Sequence, residues 1–301
     1  MRKVTLFTAS RSERPLLDPI IKRAPKYNIE LQLVEMMPNW SLPAYVVFAQ
    51  DMLGKYKPDI SLIPCDRLEM VPVAMASFYD NTPIAHLFAG IYGAGTHDDV
   101  ARHVISMFSH ILLCESDATK QNLVKAGEEE WRCHVVGATH FDDLMVDEFL
   151  VPKRSYDLVL INPLPLAPKN NAAMILRALG AVRHSPVIIY PNEDAGRDVI
   201  IDRITKYSLL YECTVMEESV PRPQFLGLLK NAKQFISNSS STIYEAPHFG
   251  IKVYNPTFRN AERTPYTGVK DGHASERILK VLASVELNQK LLNKRLRLFG
   301  R

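Results

Sequence analysis

Residues 235–250 read Phe-Ile-Ser-Asn-Ser-Ser-Ser-Thr-Ile-Tyr-Glu-Ala-Pro-His-Phe-Gly. An apolar run of strand length at 235–237 enters a polar turn, and an amphipathic stretch of helix length follows at 242–249. A strand, a polar turn and a helix in this order form the repeating unit of parallel α/β sheets. Ligands of such sheets bind beyond the carboxyl ends of the strands, so a binding site is expected at this turn.

The same alternation of short apolar runs and helix-length stretches extends in both directions from this segment. The apolar runs are continuous, which is typical of parallel strands buried on both faces. Two such series predict an α/β protein with two doubly wound, Rossmann-like domains facing a cleft, at residues 1–150 and 151–301. Strands are predicted at 4–8, 29–34, 60–63, 84–88, 111–114, 134–136, 158–161, 187–190, 214–216, 235–237 and 253–255. Helices are predicted at 15–23, 44–55, 69–78, 99–108, 117–126, 171–182, 194–206, 223–230, 242–249, 273–283 and 288–299, and the last of them is expected to pack back on the N-terminal domain.

The composition describes a globular protein. The chain has 301 residues, 47% hydrophobic and 23% charged, which excludes collagen-like, coiled-coil, low-complexity and disordered classes. The net charge of +3 is compatible with an anionic ligand or a nucleic acid but is too small to argue for either. Four scattered cysteines are expected to be free thiols, and no apolar run has the length of a signal peptide or a membrane span. We therefore expect a cytoplasmic protein without membrane contact.

The turn after the strand at 235–237 carries four consecutive hydroxyl residues, at 239–242. Hydroxyls and backbone N–H groups that converge at a helix N-terminus form an anion site, so Ser239 and Ser240 are expected to bind phosphate. Glu245 follows one turn later and is expected to accept hydrogen bonds from a ribose. The alternative is an ordinary serine-rich turn with a glutamate favoured by the helix dipole.

Arginines follow two other predicted strands. Arg259 and Arg263 come after the strand at 253–255 and would suit a diphosphate, although both would also be ordinary as solvated loop residues. Ser10 and Arg11 come after the first strand, where a helix N-terminus and a guanidinium also suit an anion. The alternative for these two is an N-cap serine beside a solvated arginine.

Carboxylates follow the third and fourth strands. Asp66 stands at a predicted N-cap position, where it either caps the helix or acts as a base. Asp98 and Asp99 begin the next helix, and each lies four residues before a basic side chain, Arg102 and His103 respectively. A metal site at 97–103 is the less favoured alternative, because surface ion pairs explain the same spacing, so no metal is expected.

The combination of these motifs resembles the UDP-N-acetylglucosamine 2-epimerase family, its hydrolysing branch more than its non-hydrolysing branch. The resemblance implies the two-domain fold of the glycosyltransferase-B type and no cofactor besides the UDP-sugar substrate. It covers most of the chain through segments at 10–13, 57–59, 66–70, 83–86, 98–99, 102–103, 109–110, 135–137, 190–196, 228–232, 238–241, 245–247 and 249–250, together with Arg259 and Arg263.

The resemblance also implies roles for individual residues. The segment that contains Asn238, Ser239 and Ser240 would bind the UDP diphosphate. Glu245 would bind the ribose, and Arg11 with Arg263 would bind further phosphate or sugar oxygens. Asp66 and either Asp98 or Asp99 match acidic positions that transfer protons when UDP is eliminated and water adds to the resulting glycal. A homodimer is expected because family members often self-associate.

Two positions depart from the family pattern. Ile91 stands where the family carries a glutamate after Gly-Gly, and Asn162 stands where the family has His before Pro. Neither side chain exchanges a proton near neutral pH. The main hypothesis remains a UDP-sugar enzyme that cleaves the anomeric C–O bond. One alternative is a UDP-sugar-dependent glycosyltransferase that acts on a hydroxyl acceptor, for which a nucleic acid is only weakly supported. The other alternative is a non-catalytic UDP-sugar binder.

Overall fold

The computed structural model describes residues 1–9, 13–37, 40–93, 97–164, 167–217, 220–260 and 263–295, with His97 and Asp98 described as backbone only. The strands are β1 (Arg2–Thr8), β2 (Ile29–Glu35), β3 (Ile60–Pro64), β4 (Ile84–Leu87), β5 (Ile111–Cys114), β6 (Cys133–Val135), β7 (Leu158–Leu160), β8 (Val187–Ile189), β9 (Thr214–Met216), β10 (Phe235–Ser237) and β11 (Val253–Tyr254). The helices are α1 (Arg14–Arg23), α2 (Leu42–Tyr56), α3 (Met70–Tyr79), α4 (His97–Phe108), α5 (Asp117–Lys125), α6 (Asn171–Gly180), α7 (Arg197–Ser208), α8 (Arg222–Asn231), α9 (Glu245–His248), α10 (Ala274–Ser284) and α11 (Gln289–Leu292).

The chain divides into two compact units. Unit 1 contains Met1–Tyr92, His97–Asp143 and the segment from Tyr266 onward, and unit 2 contains Leu144–Pro265. The return of the C-terminal segment to unit 1 is made by α10, which packs against α1. These units differ from the predicted limits 1–150 and 151–301 at both ends of unit 2.

Unit 1 contains a six-stranded sheet in the order β2-β1-β3-β4-β5-β6, and every neighbouring pair is parallel. All residues of β3, β4 and β5 are buried, as continuous apolar strands between two helical layers must be. One core cluster joins the sheet to α2 and α3 through Phe7, Ala49, Ile63 and Val73.

Unit 2 contains a five-stranded parallel sheet in the order β11-β10-β7-β8-β9. One cluster packs α6 and α7 against one side of the sheet, around Ile175 and Ile188, and a second packs α8 around Leu228 and Phe235. The order reverses between β10 and β7, so the turns after these two strands lie side by side at a point where ligands bind in open sheets. The predicted α/β class with two parallel, doubly wound units is confirmed.

Each predicted strand is present with ends that differ by at most two residues, but two predicted helices are shorter than expected. The predicted helix at 242–249 is a 3₁₀ turn at Ser240–Thr242 followed by the four-residue α9. Hydroxyl groups explain the tight turn, because the Thr242 hydroxyl donates to the Ser239 carbonyl at 2.7 Å and replaces a helical bond.

The predicted helix at 288–299 ends at Leu292 in α11, and residues 296–299 lie outside the described residues. Tertiary bonds end the helix. The Lys294 ammonium donates to the carbonyls of Ser106 and Ser109, each at 2.6 Å, and pairs with Glu128 at 2.8 Å. Lys294 therefore lies against unit 1.

Candidate active site

The turn after β3 places Asp66 beside a buried arginine of α4. Arg102 is 4% exposed at its side chain and forms an ion pair with Asp66, which is 22% exposed. Its other terminal nitrogen donates to the Phe88 carbonyl at 3.0 Å, so one guanidinium holds the turns after β3 and β4 together. The capping interpretation of Asp66 is wrong, because α3 begins at Met70 and Glu69 occupies the N-cap position. Asp66 instead lies at the carboxyl edge of the sheet, where its side chain is partly exposed.

Both turns that Arg102 joins contain an unusual backbone conformation. Cys65 has φ +61° and Phe88 has φ +62°, in the left-handed region that residues other than glycine and asparagine seldom enter. This backbone conformation costs on the order of 1–3 kcal/mol for each residue that adopts it, and such residues concentrate at functional sites. Because the two strained residues lie on the two turns that Arg102 joins, this edge of unit 1 is the candidate chemical centre.

A second carboxyl group at this edge is buried. Glu13 precedes α1, is 6% exposed, and accepts a hydrogen bond from the Thr8 hydroxyl at 2.5 Å. Burial raises the pKa of Glu13 to about 7, against the opposing effects of the Thr8 hydrogen bond and the Arg67 charge. The sequence analysis assigned no role to Glu13, because burial of a residue in a polar stretch leaves no periodic signal.

The other predicted acids lie on α4. The Asp99 carboxylate is 3.9 Å from the Nε2 atom of His103, the i,i+4 neighbour, at the outer limit of an ion pair. The side chain of Asp98 lies outside the described residues, and the expected partner of Asp98, Arg102, is bound to Asp66. In the described part of the chain, no group of three or more His, Cys, Asp and Glu side chains is arranged to hold a metal ion.

Ile91, one of the two positions that differ from the family pattern, lies in the interior of unit 1. It is 1% exposed and follows Gly90, whose φ is +79°. A Cβ atom at Gly90 would lie 2.2 Å from the Thr119 carbonyl oxygen, so only glycine fits this close approach to α5. Ile91 is therefore an apolar packing residue in this chain.

In unit 2, two asparagines connect the turns after β7 and β10. The Asn238 side chain accepts from the Asn162 N–H and donates to the Asn162 carbonyl, both at 2.8 Å. The Asn162 side-chain oxygen accepts from the Asn192 N–H, after β8, at 3.1 Å. Asn260 donates to the Asn238 carbonyl at 2.8 Å. These bonds fix the carboxyl edge of unit 2 with neutral groups.

The predicted hydroxyl cluster lies at this same edge, but part of its hydrogen-bonding capacity is used locally. The Ser239 hydroxyl accepts from the Ser241 N–H at 3.3 Å and so caps the 3₁₀ turn. The helix dipole that the sequence analysis invoked is absent here, since α9 has only four residues. The hydroxyls of Ser239 and Ser240, both half-buried, can still donate to an anion.

Glu245 is buried and paired. It is 2% exposed, and its Oε1 atom lies 2.9 Å from a terminal nitrogen of Arg222. Its Oε2 atom is buried and has no hydrogen-bond partner among the described residues. A buried carboxylate oxygen without a donor is unfavourable. The sequence analysis missed Arg222, which no local spacing connects to Glu245.

The two predicted arginines after β11 have different partners at this edge. Arg259 donates to the Pro163 carbonyl at 3.0 Å and so lies beside the Asn162–Asn238 pair. Arg263 is 3.4 Å from the Asn260 side-chain oxygen and 3.5 Å from the Tyr244 hydroxyl. Bonds to Pro163 and to Asn260 thus place Arg259 and Arg263 next to the Asn162–Asn238 pair at this edge. Ser10 and Arg11 lie outside the described residues.

The chain is similar to proteins of one known family. Residues 21–300 match the family described as UDP-N-acetylglucosamine 2-epimerase. The chain belongs to the UDP-N-acetylglucosamine 2-epimerase family. It is 29% identical over 280 residues to the UDP-N,N'-diacetylbacillosamine 2-epimerase (hydrolyzing) of Legionella pneumophila, covering 79% of this chain and 74% of that protein. It is 29% identical over 232 residues to the UDP-N-acetylglucosamine 2-epimerase of Neisseria meningitidis serogroup B, where the alignment covers 72% of this chain and only 60% of that protein.

Solved structures of this family share the fold. The Neisseria meningitidis UDP-GlcNAc 2-epimerase bound to UDP-GlcNAc superposes with a TM-score of 0.72 at 19% identity, covering 97% of this chain and 93% of that one. The Methanocaldococcus jannaschii enzyme in complex with UDP-GlcNAc and UDP superposes with a TM-score of 0.73 at 17% identity, covering 99% and 96%. At this identity the superpositions establish the architecture of the 2-epimerase fold for this chain.

Proposed function

We propose that this protein cleaves the bond between the anomeric carbon and UDP in a UDP-N-acetylhexosamine, as a hydrolysing 2-epimerase. Membership of the family supports the class of reaction. The observation that carries the proposal is the ordered carboxyl edge of unit 2, where the Asn162–Asn238 pair, Ser239 and Arg259 converge. Donors of this kind, held in place before the ligand arrives, are what recognition of a diphosphate requires.

In this proposal unit 2 binds the nucleotide. The hydroxyls of Ser239 and Ser240 and the guanidinium groups of Arg259 and Arg263 bind the diphosphate, with Ser10 and Arg11 of unit 1 as further ligands. Glu245 accepts a ribose hydroxyl at its Oε2 atom, while Arg222 holds its Oε1 atom at 2.9 Å. The covering side chains must move aside for the ribose, since Oε2 is buried without ligand.

Unit 1 supplies the proton transfers. Elimination removes a proton from C2 and breaks the C1–O bond, which releases UDP and leaves a glycal. Water then adds its oxygen to C1 and a proton to C2, so one UDP-sugar and one water give UDP and N-acetylmannosamine. The Asp66 carboxylate accepts a proton at the carboxyl edge, and Asp98 or Asp99 on α4 is the second acid or base.

The two altered positions limit this chemistry. Ile91 is buried and apolar, and Asn162 uses its side-chain oxygen to accept from Asn192, so neither exchanges a proton. Loss of a general acid or base lowers a rate by about 10²- to 10⁴-fold. We therefore expect turnover to be slow, with the proton transfers borne by the remaining aspartates.

The deciding experiment is incubation of the full chain with UDP-GlcNAc in D₂O, without an acceptor. The proposal predicts equal amounts of UDP and N-acetylmannosamine, with one deuterium at C2 of the sugar. UDP release only when a hydroxyl acceptor is added would identify a glycosyltransferase instead. UDP binding without any turnover would identify a binding protein.

Further parts of the proposal concern cofactors, partners and location. The reaction consists of proton transfers and C–O cleavage, so it needs no redox cofactor, and UDP release is expected to continue in EDTA. A homodimer and a cytoplasmic location also remain proposals, the latter supported by four cysteines that are all free thiols. Among the described residues no helix has the length and apolar character to cross a membrane.

A further inference from the structure

The turn that presents Asp66 is held in a conformation that its own sequence does not favour. Cys65, the residue before Asp66, has φ +61°. A cysteine adopts the left-handed region only where surrounding bonds fix the backbone, because its Cβ atom crowds the following carbonyl. The Cys65 N–H donates to the Leu87 carbonyl at 3.0 Å, which ties the turn to the end of β4. A second bond on the carbonyl side of Cys65 completes this restraint.

That second bond comes from His86 of β4, which is fully buried. Its Nε2 atom lies 2.7 Å from the Cys65 carbonyl oxygen, and its Nδ1 atom lies 2.9 Å from the Ser106 hydroxyl. A carbonyl oxygen only accepts, so Nε2 carries the proton and Nδ1 accepts from Ser106. Burial lowers the pKa of His86 to about 4, which agrees with a neutral ring of fixed tautomer.

Helix α4 reaches the same turn twice. Ser106 orients His86, and Arg102, four residues earlier on the same helix face, forms the ion pair with Asp66. One bond therefore fixes the backbone before Asp66, and the other fixes the carboxylate itself. A ring that only filled space in the core would not need a donor aimed at a strained carbonyl.

We infer that His86 is a positioning residue for Asp66: its Nε2–H bond to the Cys65 carbonyl holds the strained turn that presents the Asp66 carboxylate. The inference rests on the proposed function, in which Asp66 transfers a proton. It assigns no contact between His86 and substrate. Its consequence is that removing the Nε2 donor should lower the rate of the chemical step while leaving nucleotide binding intact.

The chain offers a matched control in His110. This histidine is also buried, burial likewise lowers its pKa to about 4, and its Nδ1 atom accepts from the Ile84 N–H at 3.1 Å. Its ring stacks on Phe78. His110 precedes β5 and therefore lies at the amino edge of the sheet, opposite the turn that carries Asp66. Loss of its ring should affect stability and not the chemical step.

The first test compares kcat for UDP release from UDP-GlcNAc. His86→Leu removes the donor and is expected to lower kcat by about 10²-fold, the effect of a misplaced reacting group, with KM and UDP affinity unchanged. His86→Gln should recover most of kcat, since its amide nitrogen can take the place of Nε2. His110→Leu should keep kcat. Equal kcat for His86→Leu and the wild type would overturn the inference.

The second test uses glycine to release the strain. Glycine enters the left-handed region without steric penalty, so Cys65→Gly in the His86→Leu background should restore at least part of the lost kcat. A double variant that is no more active than His86→Leu would contradict the inference. If His86→Leu does not fold, Ser106→Ala removes the donor to Nδ1 and should give a smaller loss of kcat; an unchanged kcat would again contradict it.

Unfolding measurements separate this inference from the proposed function. If the wild type releases no UDP, the proposed function fails, and the free energy of unfolding then decides the role of His86. The effects of His86→Leu and Cys65→Gly on the free energy of unfolding are expected to be coupled. Cys65→Gly should cost less stability in the His86→Leu background than in the wild type. No such coupling is expected between His110→Leu and Cys65→Gly. Additive effects in both pairs would show that His86 does not hold the turn.

Discussion

The carboxyl edges of the two sheets differ in chemistry although both belong to parallel α/β units. In unit 1 the edge is organised by an ion pair between Asp66 and buried Arg102 and by positive φ angles at Cys65 and Phe88. In unit 2 it is organised by neutral amide bonds between Asn162 and Asn238, and positive φ falls on glycines and on Asn260, residue types that tolerate it.

This difference matches two different tasks. A charge held at the border of a buried region, on a strained backbone, suits proton transfer, because a fixed carboxylate needs little reorganisation during the reaction. Neutral bonds between Asn162 and Asn238 suit a binding edge, because they fix the turns beside which Ser239 and Arg259 are available to a diphosphate. If this division is correct, changes at the edge of unit 1 alter turnover and changes at the edge of unit 2 alter binding.

The largest effect is expected for Asp66→Asn. Asparagine keeps the size of the side chain but does not accept a proton, so kcat for UDP release should fall by about 10²- to 10⁴-fold. UDP affinity measured by calorimetry should stay at the wild-type value. A variant that loses UDP binding as severely as turnover would break the division between the two edges.

The next effect is a pH dependence carried by Glu13. Burial raises its pKa from 4.5 to about 7, so between these pH values the folded chain holds a proton that the unfolded chain has lost. The stability that Glu13 contributes is therefore present below pH 4.5 and lost as pH rises to about 7, on the order of 3 kcal/mol in all. Urea unfolding of the wild type and Glu13→Gln from pH 4 to 8 measures it.

The informative quantity is the difference in the free energy of unfolding between the wild type and Glu13→Gln. Burial lowers the pKa values of His86 and His110 to about 4. The two histidines therefore make the stability of the wild type and of Glu13→Gln rise with pH over the same range. This contribution is the same in both proteins and cancels in the difference. The free energy of unfolding of the wild type minus that of Glu13→Gln should fall as pH rises. The exposed Glu30→Gln serves as the control and should show no such trend. A difference that stays constant from pH 4 to 8 would contradict the buried acid.

In unit 2 the expected effect is smaller and falls on binding. Asn238→Ala removes both side-chain bonds to Asn162 and should lower the free energy of unfolding by about 2 kcal/mol. UDP affinity should weaken because the turns after β7 and β10 lose their connection. Asn170→Ala, at an exposed position, is the control. Unchanged UDP affinity in a folded Asn238→Ala variant would remove this pair from the binding site.

The smallest effect concerns the ribose. Glu245→Gln keeps one acceptor oxygen but loses the charge, so the preference for UDP over 2',3'-dideoxy-UDP should fall by about 1 kcal/mol, roughly fivefold. Competition binding with the two nucleotides measures this preference. Equal loss of affinity for both nucleotides would show that Glu245 acts through Arg222 and the fold rather than through the ribose.

The sequence predicts most of the fold because the strands are continuous apolar runs. The runs at 111–114, 214–216 and 235–237 coincide with β5, β9 and β10 residue for residue. Predictions from local spacing were wrong where a side chain binds a partner that is distant in the sequence. Arg102 is four residues from Asp98, yet it binds Asp66, 36 residues away, since a buried guanidinium requires a carboxylate and carbonyls that only the folded sheet brings near.

The candidate site was predictable to the extent that strand ends carry polar residues. Asn238, Ser239 and Arg259 are brought to one edge because β7, β10 and β11 are neighbours in a parallel sheet. Positive φ angles at Cys65 and Phe88 leave no mark in composition or periodicity. The burial of Glu13 and the pairing of Arg222 with Glu245 depend on tertiary packing, so the sequence alone did not reveal them.

The most direct test of the division between the two edges is a calorimetric titration of the full chain with UDP, run on the wild type, Asp66→Asn and Asn238→Ala. The account predicts that the wild type and Asp66→Asn bind UDP with the same affinity and that Asn238→Ala binds it more weakly. Absence of UDP binding to the wild type, or equal weakening in both variants, would contradict it.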